Sequence, residues 1–103
     1  MRHRLTDVHV INYPILSVTF EDGLSGEIDL RNDIANKPMF AELKDEKFFN
    51  TVTVGVDGSC MGWKLDHVFE EIDFSADGLR TDIETQVVMK AAAAYRSKRH
   101  AAE

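Results

Sequence analysis

Two turn signals constrain this 103-residue chain most strongly, because each is flanked by segments in which apolar and polar residues alternate. The first is Glu21-Asp22-Gly23 and the second is Asp57-Gly58. Alternation with a period of two is typical of a strand that is buried on one face. A short glycine-containing loop between two such strands is typical of a β-hairpin. The sequence therefore predicts two β-hairpins.

The parity of the apolar positions fixes the register of the first hairpin. Residues that face each other on paired strands lie on the same face of the sheet. A three-residue loop satisfies this rule and pairs Leu16 with Ile28. A two-residue loop would instead set Val18 against Glu27 and bury a carboxylate. We therefore expect the three-residue loop, with Gly23 in the left-handed conformation that favours glycine.

The second hairpin has the opposite parity across its loop. A two-residue Asp57-Gly58 loop pairs Val54 with Met61. The same register directs Val56 inward and makes Trp63 the largest residue of the core. Each hairpin then has one apolar and one polar face, as expected for an antiparallel sheet that is covered on one side.

One more strand and a short helix complete the predicted core. Alternating residues 7–13 predict an N-terminal strand that ends at a proline. Pro38 opens a short helix, in which Phe40 and Leu43 are spaced to face inward. The predicted fold class is α+β, with two β-hairpins plus an N-terminal strand in an antiparallel sheet, one short middle helix and one long C-terminal helix.

The C-terminal segment gives the clearest helical pattern. Thr81-Asp82-Ile83-Glu84 matches a capping box, which predicts a helix over residues 82–99. We therefore divide the chain into a core domain, residues 1–80, and a helical extension of the same domain, residues 81–103. The apolar positions of this helix form a stripe: Ile83, Val87, Val88, Ala91 and Tyr95.

The apolar stripe needs a cover, because isolated helices of this length are marginal in water. Two covers are open: the sheet of the same chain, or the same helix of a second chain. The run of four alanines from residue 91 allows another backbone to approach closely. We favour the second cover, and the stripe is then a self-association surface of a homodimer.

Charge is distributed unevenly over the net −6 of the chain. Residues 1–89 carry 17 acidic and 8 basic side chains, whereas residues 90–103 carry four basic and one acidic. An acidic body opposes non-specific binding to nucleic acid. The basic residues are candidates for contact with a partner or with nucleic acid: Lys90, Arg96, Lys98 and Arg99. The alternative is that they are solvated cations which oppose the helix macrodipole.

Residues 66–73 concentrate the side chains that could bind a metal. On a helix, His67 would lie one turn from Glu70 and Glu71, and these nitrogen and oxygen donors suit a divalent ion. No second histidine has an evident route to them, and a complete site needs further ligands. We expect a solvated acidic connection and no metal, and keep a metal-dependent enzyme as an alternative.

Other chemistry has little support in the sequence. The single cysteine, Cys60, cannot form an internal bridge and has no evident neighbouring base or cation to activate it. We expect no catalytic residue and no cofactor. The lack of disulfides fits the reducing cytoplasm. Residues 1–7 include basic residues but no following apolar run, and no segment is long and apolar enough for a membrane span.

A set of core and turn positions in residues 7–79 has a recognisable order: Val8-x-Val10, Leu16-x-Val18-x-Phe20-x-Asp22-Gly23, Gly26-Glu27-Ile28-Asp29-Leu30, Phe40-x-x-Leu43-x-Asp45, Phe48, Val52 to Val56, Trp63, and Ile72-Asp73 through Leu79. This pattern resembles the small bacterial family of unknown function DUF2442. The resemblance implies an α+β fold with an antiparallel sheet. Family members are often encoded beside another small protein in toxin–antitoxin-type pairs, which implies a small protein partner. The connection Lys64–Glu71 is longer and more acidic than the family pattern.

Three functional hypotheses follow. The first is a non-enzymatic protein-interaction module, the antitoxin-like or regulatory member of a small bacterial gene pair. The second is a DNA-associated regulator that uses the basic end of the C-terminal helix. The third is the metal-dependent enzyme at residues 66–73.

Overall fold

A computed structural model describes residues 3–67 and 69–102, with side chains up to residue 96. The α+β class is confirmed. The elements of these residues follow one another in this order: β1 (Leu5–Asn12), β2 (Ile15–Phe20), β3 (Ser25–Asp29), α1 (Arg31–Asn36), a 3-10 helix (Pro38–Lys44), α2 (Glu46–Phe49), β4 (Thr53–Val54), β5 (Cys60–Trp63), β6 (Ile72–Ser75) and α3 (Ala76–Ala102).

The strands belong to two three-stranded antiparallel sheets rather than to the one sheet expected from the sequence. The first sheet has the order β1-β2-β3 and the second the order β4-β5-β6. The helical segments between β3 and β4 carry the chain from one sheet to the other, so these two strands are not neighbours. The amide of Leu5 in β1 donates to the carbonyl of Gly58, 2.8 Å away, and ties the sheets together. Both contribute to a single hydrophobic core.

The predicted register of the first hairpin is confirmed. Leu16 pairs with Ile28, and Val18 pairs with Gly26. Gly23 has a φ of 93°, the left-handed conformation that the three-residue loop requires. The inward-facing residues of β2 are almost completely buried. Parity therefore identified the faces of this hairpin correctly.

The second hairpin is confirmed in part. Val54 pairs with Met61, as expected, and Trp63 is fully buried, with its indole N–H donating to the Phe49 carbonyl at 2.8 Å. The prediction that Val56 faces inward is wrong, because its side chain is fully exposed. The chain already turns at Gly55, whose carbonyl accepts from the Gly58 amide at 2.9 Å, so Val56 lies within the turn.

The segment between the sheets contains three short helical elements where the sequence predicts one. Phe40 and Leu43 are buried within the 3-10 helix, as expected from their spacing. The helices on either side of it were not predicted. One buries Ile34, and the other is capped by Asp45, whose carboxylate accepts from the Lys47 amide at 3.0 Å. Each is too short for a periodic pattern to appear.

The start predicted for the C-terminal helix is wrong. Helix α3 begins at Ala76, and the hydroxyl of Ser75 caps it by accepting from the Gly78 amide at 3.0 Å. Thr81 lies inside the helix, where its hydroxyl donates to the Asp77 carbonyl at 3.1 Å. The boundary drawn between residues 80 and 81 consequently lies within α3.

Candidate interaction surface

Helix α3 has two parts with different environments. In the base, residues 76–86, the side chains of Ala76, Leu79 and Ile83 are buried in the core. Ile83 packs directly over Gly26 of β3, where a Cβ would lie only 2.8 Å from the isoleucine Cγ2. The missing side chain of the glycine therefore provides the space that lets the helix lie on the sheet.

A polar clasp centred on Arg80 fastens the base to the first hairpin. The guanidinium donates one hydrogen bond to the Asp22 carboxylate at 2.9 Å and one to Glu84 at 2.7 Å. Its other terminal nitrogen forms an ion pair with the second Asp22 oxygen, also at 2.9 Å. It also lies over the ring of Phe20, 5.1 Å from the centroid. The hydrogen bond from Arg80 lowers the pKa of Asp22 to about 2. The clasp is thus fully charged at neutral pH.

The described side-chain hydrogen bonds between α3 and the body end at Gln86, whose side-chain amide donates to the Glu27 carbonyl at 3.2 Å. We call residues 87–102 the arm. Every side chain from residue 87 to residue 96 is exposed. The arm is about 24 Å long at 1.5 Å per residue. The molecule is correspondingly elongated, with principal extents of 57 × 32 × 20 Å.

Large apolar side chains are exposed on the arm. Val87, Val88 and Tyr95 are 53%, 66% and 66% exposed, and Ala91 between them is exposed as well. Helical periodicity places these four residues on one side of the arm, and we call them the arm stripe. Ile83, the fifth residue of the predicted self-association surface, is only 1% exposed and belongs to the core.

The arm stripe continues onto the body at its inner end. Ile11 of β1 is half-exposed and shares a cavity of about 410 Å³ with Val87 and Lys90. Sequence reasoning missed Ile11, since the strand register deviates between Val10 and Asn12. The apolar surface therefore has a contribution from the sheet as well as from the helix.

The basic end of α3 is only partly visible. Lys90 and Arg96 are exposed on the arm, and among the residues that the structure describes neither forms an ion pair. The side chains of Lys98 and Arg99 lie outside the described residues. Nucleic-acid contact by these cations therefore stays a prediction.

The described residues of the 66–73 segment do not adopt the helix on which the metal-site alternative depends. His67 and Glu70 lie in turns, linked by a hydrogen bond from the Glu70 amide to the His67 carbonyl at 3.1 Å. His67 bonds Asp66 at 2.8 Å through its ring nitrogen. Across the described side chains, residues 3–67 and 69–96, no group of three or more histidine, cysteine or acidic residues is arranged to hold a metal ion. The one-turn spacing that motivated a metal site depended on the helix.

The outer face of the second sheet has a shallow cavity of about 790 Å³. Cys60 lies in it, with its sulfur over Gly55, where a Cβ would come within 2.7 Å. Burial raises the pKa of the Cys60 thiol, and the carboxylates of Asp73 and Asp57 raise it further. The thiol is consequently held in its protonated form, which is the poor nucleophile.

Comparisons of the chain with protein-family models, with curated proteins and with solved structures gave no match. The resemblance to the DUF2442 family therefore stays a prediction, as does the small protein partner that it implies. Within the described part of the chain, no helix combines the length and the apolar character needed to cross a membrane.

Proposed function

We propose that this protein is a non-catalytic protein-interaction module in which the arm of α3 makes the contact. One observation carries the proposal: a single helix has one end in the core, while its other end continues into solvent with Val87, Val88 and Tyr95 exposed. Contiguous exposed apolar surface on a small protein is typical of an interaction site.

Physical arguments support a partner for the arm. The base holds the first turns of α3 in place and so removes the cost of nucleating the helix. Among the described side chains of the arm, residues 87–96, none forms a hydrogen bond or ion pair with the body, and valine is a weaker helix former than alanine. Covering a side chain such as Val88 contributes about 1.5–3 kcal/mol. A partner that covers the arm stripe would therefore stabilise the helical structure of the arm, and the same buried apolar surface would contribute to the affinity of binding.

The remaining surface supports a binding role over a catalytic one. The thiol of Cys60 has a raised pKa, which disfavours the reactive thiolate. The single cysteine suits a reducing compartment, and we place the module in the cytoplasm. An antitoxin-like or regulatory member of a gene pair would act in this manner, by contact with a second small protein.

The experiment is a comparison of baits in the native host. The tagged full chain is compared with the variant Val88→Ser/Tyr95→Ser, which leaves the buried base intact. Met39→Ser is the matched control, because Met39 is 70% exposed but lies on the 3-10 helix. We expect a stoichiometric partner, either another protein or an untagged second copy, to be retained by the full chain and the control and lost from the arm variant. Equal recovery with all three baits would refute the role of the arm.

A further inference from the structure

We infer that the arm stripe is covered by the arm stripe of a second copy of this chain, with the two arms antiparallel and crossing at Ala91. This inference rests on the proposed function and names its partner. The commonest assembly of identical chains is a two-fold dimer in which the same patch is used by both copies. Such a patch must be complementary to itself.

The spacing of the arm residues meets this requirement in the antiparallel direction. A two-fold axis at Ala91 brings the two alanines together at the crossing point, where their small side chains let the helices approach closely. Val87 then lies level with Tyr95 of the second copy. Val88 lies level with Ala94, so this valine faces a small side chain. A parallel pair would instead set tyrosine against tyrosine.

Charge also favours the antiparallel direction. Helix α3 carries Asp82 and Glu84 near the end of its base, whereas Arg96 lies towards the far end of the arm. Two antiparallel arms place the basic end of each helix beside the acidic segment of the other, and two parallel arms would place like charges together. With the axis at Ala91, Glu84 lies level with residue 98, which is a lysine in the sequence.

The shape of the molecule is compatible with this arrangement. The arm extends beyond the body, and residue 86 of one copy lies level with residue 96 of the other, so the two bodies lie at opposite ends of the pair. The Tyr95 ring of the second copy reaches Val87, next to the half-exposed Ile11. The exposed apolar residue of β1 is thereby brought into the interface.

Disulfide trapping tests the direction of the arms. In a Cys60→Ser background, chains with Val88→Cys are mixed with chains with Ala94→Cys and oxidised. We expect cross-linked heterodimers, because these positions lie level in the antiparallel pair. Val88→Cys alone should stay uncrosslinked, since its two copies would be about 9 Å apart along the axis, beyond the reach of a disulfide. Efficient linking of Val88→Cys to itself would overturn the antiparallel arrangement.

Light scattering against concentration tests the pairing itself. We expect twice the monomer mass of 11.6 kDa for the full chain, and a dissociation constant about a hundredfold higher for Val88→Ser/Tyr95→Ser. Glu84→Lys alone and Lys98→Glu alone should each raise it about tenfold, and the double variant should restore it. If the double variant recovers the dissociation constant, the effect of Glu84→Lys comes from the contact between the two chains, because the double variant still lacks the Glu84–Arg80 bond within each chain.

The outcomes distinguish the two proposals. A full chain that stays monomeric, while a host partner is captured by the full chain and lost from Val88→Ser/Tyr95→Ser, overturns self-pairing and leaves the interaction module standing. A dimer that survives Val88→Ser/Tyr95→Ser unchanged overturns self-pairing through the arm, and if the host partner also survives, the proposed function fails with it.

Discussion

The two ends of helix α3 have the same backbone structure and opposite relations to the rest of the molecule. In the base, Leu79 and Ile83 are buried in the core and Arg80 clasps the first hairpin. In the arm, residues 87–96 are all exposed. The base therefore contributes to the stability of the monomer, whereas the arm contributes a surface. A single regular helix can thus combine a structural and a functional segment, and substitutions should separate them.

Core truncations should give the largest difference between the two segments. We expect Leu79→Ala and Ile83→Ala each to lower the free energy of unfolding by about 2–5 kcal/mol, because each removes a buried side chain and leaves a cavity. Val87→Ala and Val88→Ala should change monomer stability by less than about 0.5 kcal/mol. Urea denaturation at concentrations where the chain is monomeric measures all four. Similar losses in both segments would show that the arm packs on the body.

Substitution at the contact between the base and β3 should give the next largest loss of stability. Gly26→Ala would place a Cβ within 2.8 Å of the Ile83 side chain, and we expect a loss of about 1–3 kcal/mol from overpacking. The double variant Gly26→Ala/Ile83→Ala should recover more of the crowding than Gly26→Ala/Ile83→Val, since alanine removes the Cγ2 and Cγ1 atoms that lie 2.8 and 2.9 Å from the new Cβ, whereas valine removes only Cδ1 at 3.1 Å. A neutral Gly26→Ala would mean that the helix can shift away from the sheet without penalty.

The true start of the base can be distinguished from the predicted one by a smaller effect. Ser75→Ala should cost about 1 kcal/mol, because the Gly78 amide loses its capping acceptor. Thr81→Ala should cost less, since the Thr81 hydroxyl bonds a carbonyl that already belongs to the helix. Chemical denaturation of both variants ranks them. The reverse ranking would restore Thr81 as the cap.

The success of the sequence analysis with the hairpins has a local cause. Strand faces follow from a period of two and from loop length, and both can be read over a few residues. The same rule failed at Val56, where the turn begins at Gly55 and the alternation no longer describes a strand. The sheet pairing was also missed, because a long helical insertion decides which strands become neighbours and no short pattern encodes that.

The helix start failed for a related reason. Thr81 and Glu84 match the capping signature, but they lie in the middle of α3, and the real cap at Ser75 has a glycine where the signature has an acid. Helical spacing did identify the apolar stripe. Helical spacing could not show that Ile83 is buried and Val87 exposed. That difference depends on where the sheet beneath the helix ends, which is set by the tertiary structure.

The clasp should respond to pH, and its effect is the smallest, because the partners of Arg80 are exposed to solvent. Arg80 lowers the pKa of Asp22 from 3.8 to about 2 by hydrogen bonding. An acid with a lowered folded-state pKa stabilises the fold above its unfolded pKa, and the stabilisation is lost as the pH falls through the folded value. The clasp should therefore weaken between about pH 4 and pH 2.

Nuclear magnetic resonance titration of the Asp22 carboxyl carbon measures this pKa directly. Urea denaturation measures its effect on stability, and we expect the variant Asp22→Asn to lose less stability than the unsubstituted chain between about pH 4 and pH 2. Asp82→Asn, on α3 but outside the clasp, is the matched control, and this variant should lose as much stability in acid as the unsubstituted chain. Because the clasp holds only the base, acid should increase amide exchange in residues 76–86 more than in the already exposed arm. A uniform increase along α3 would show that the helix responds as one unit, and the division between base and arm would then fail.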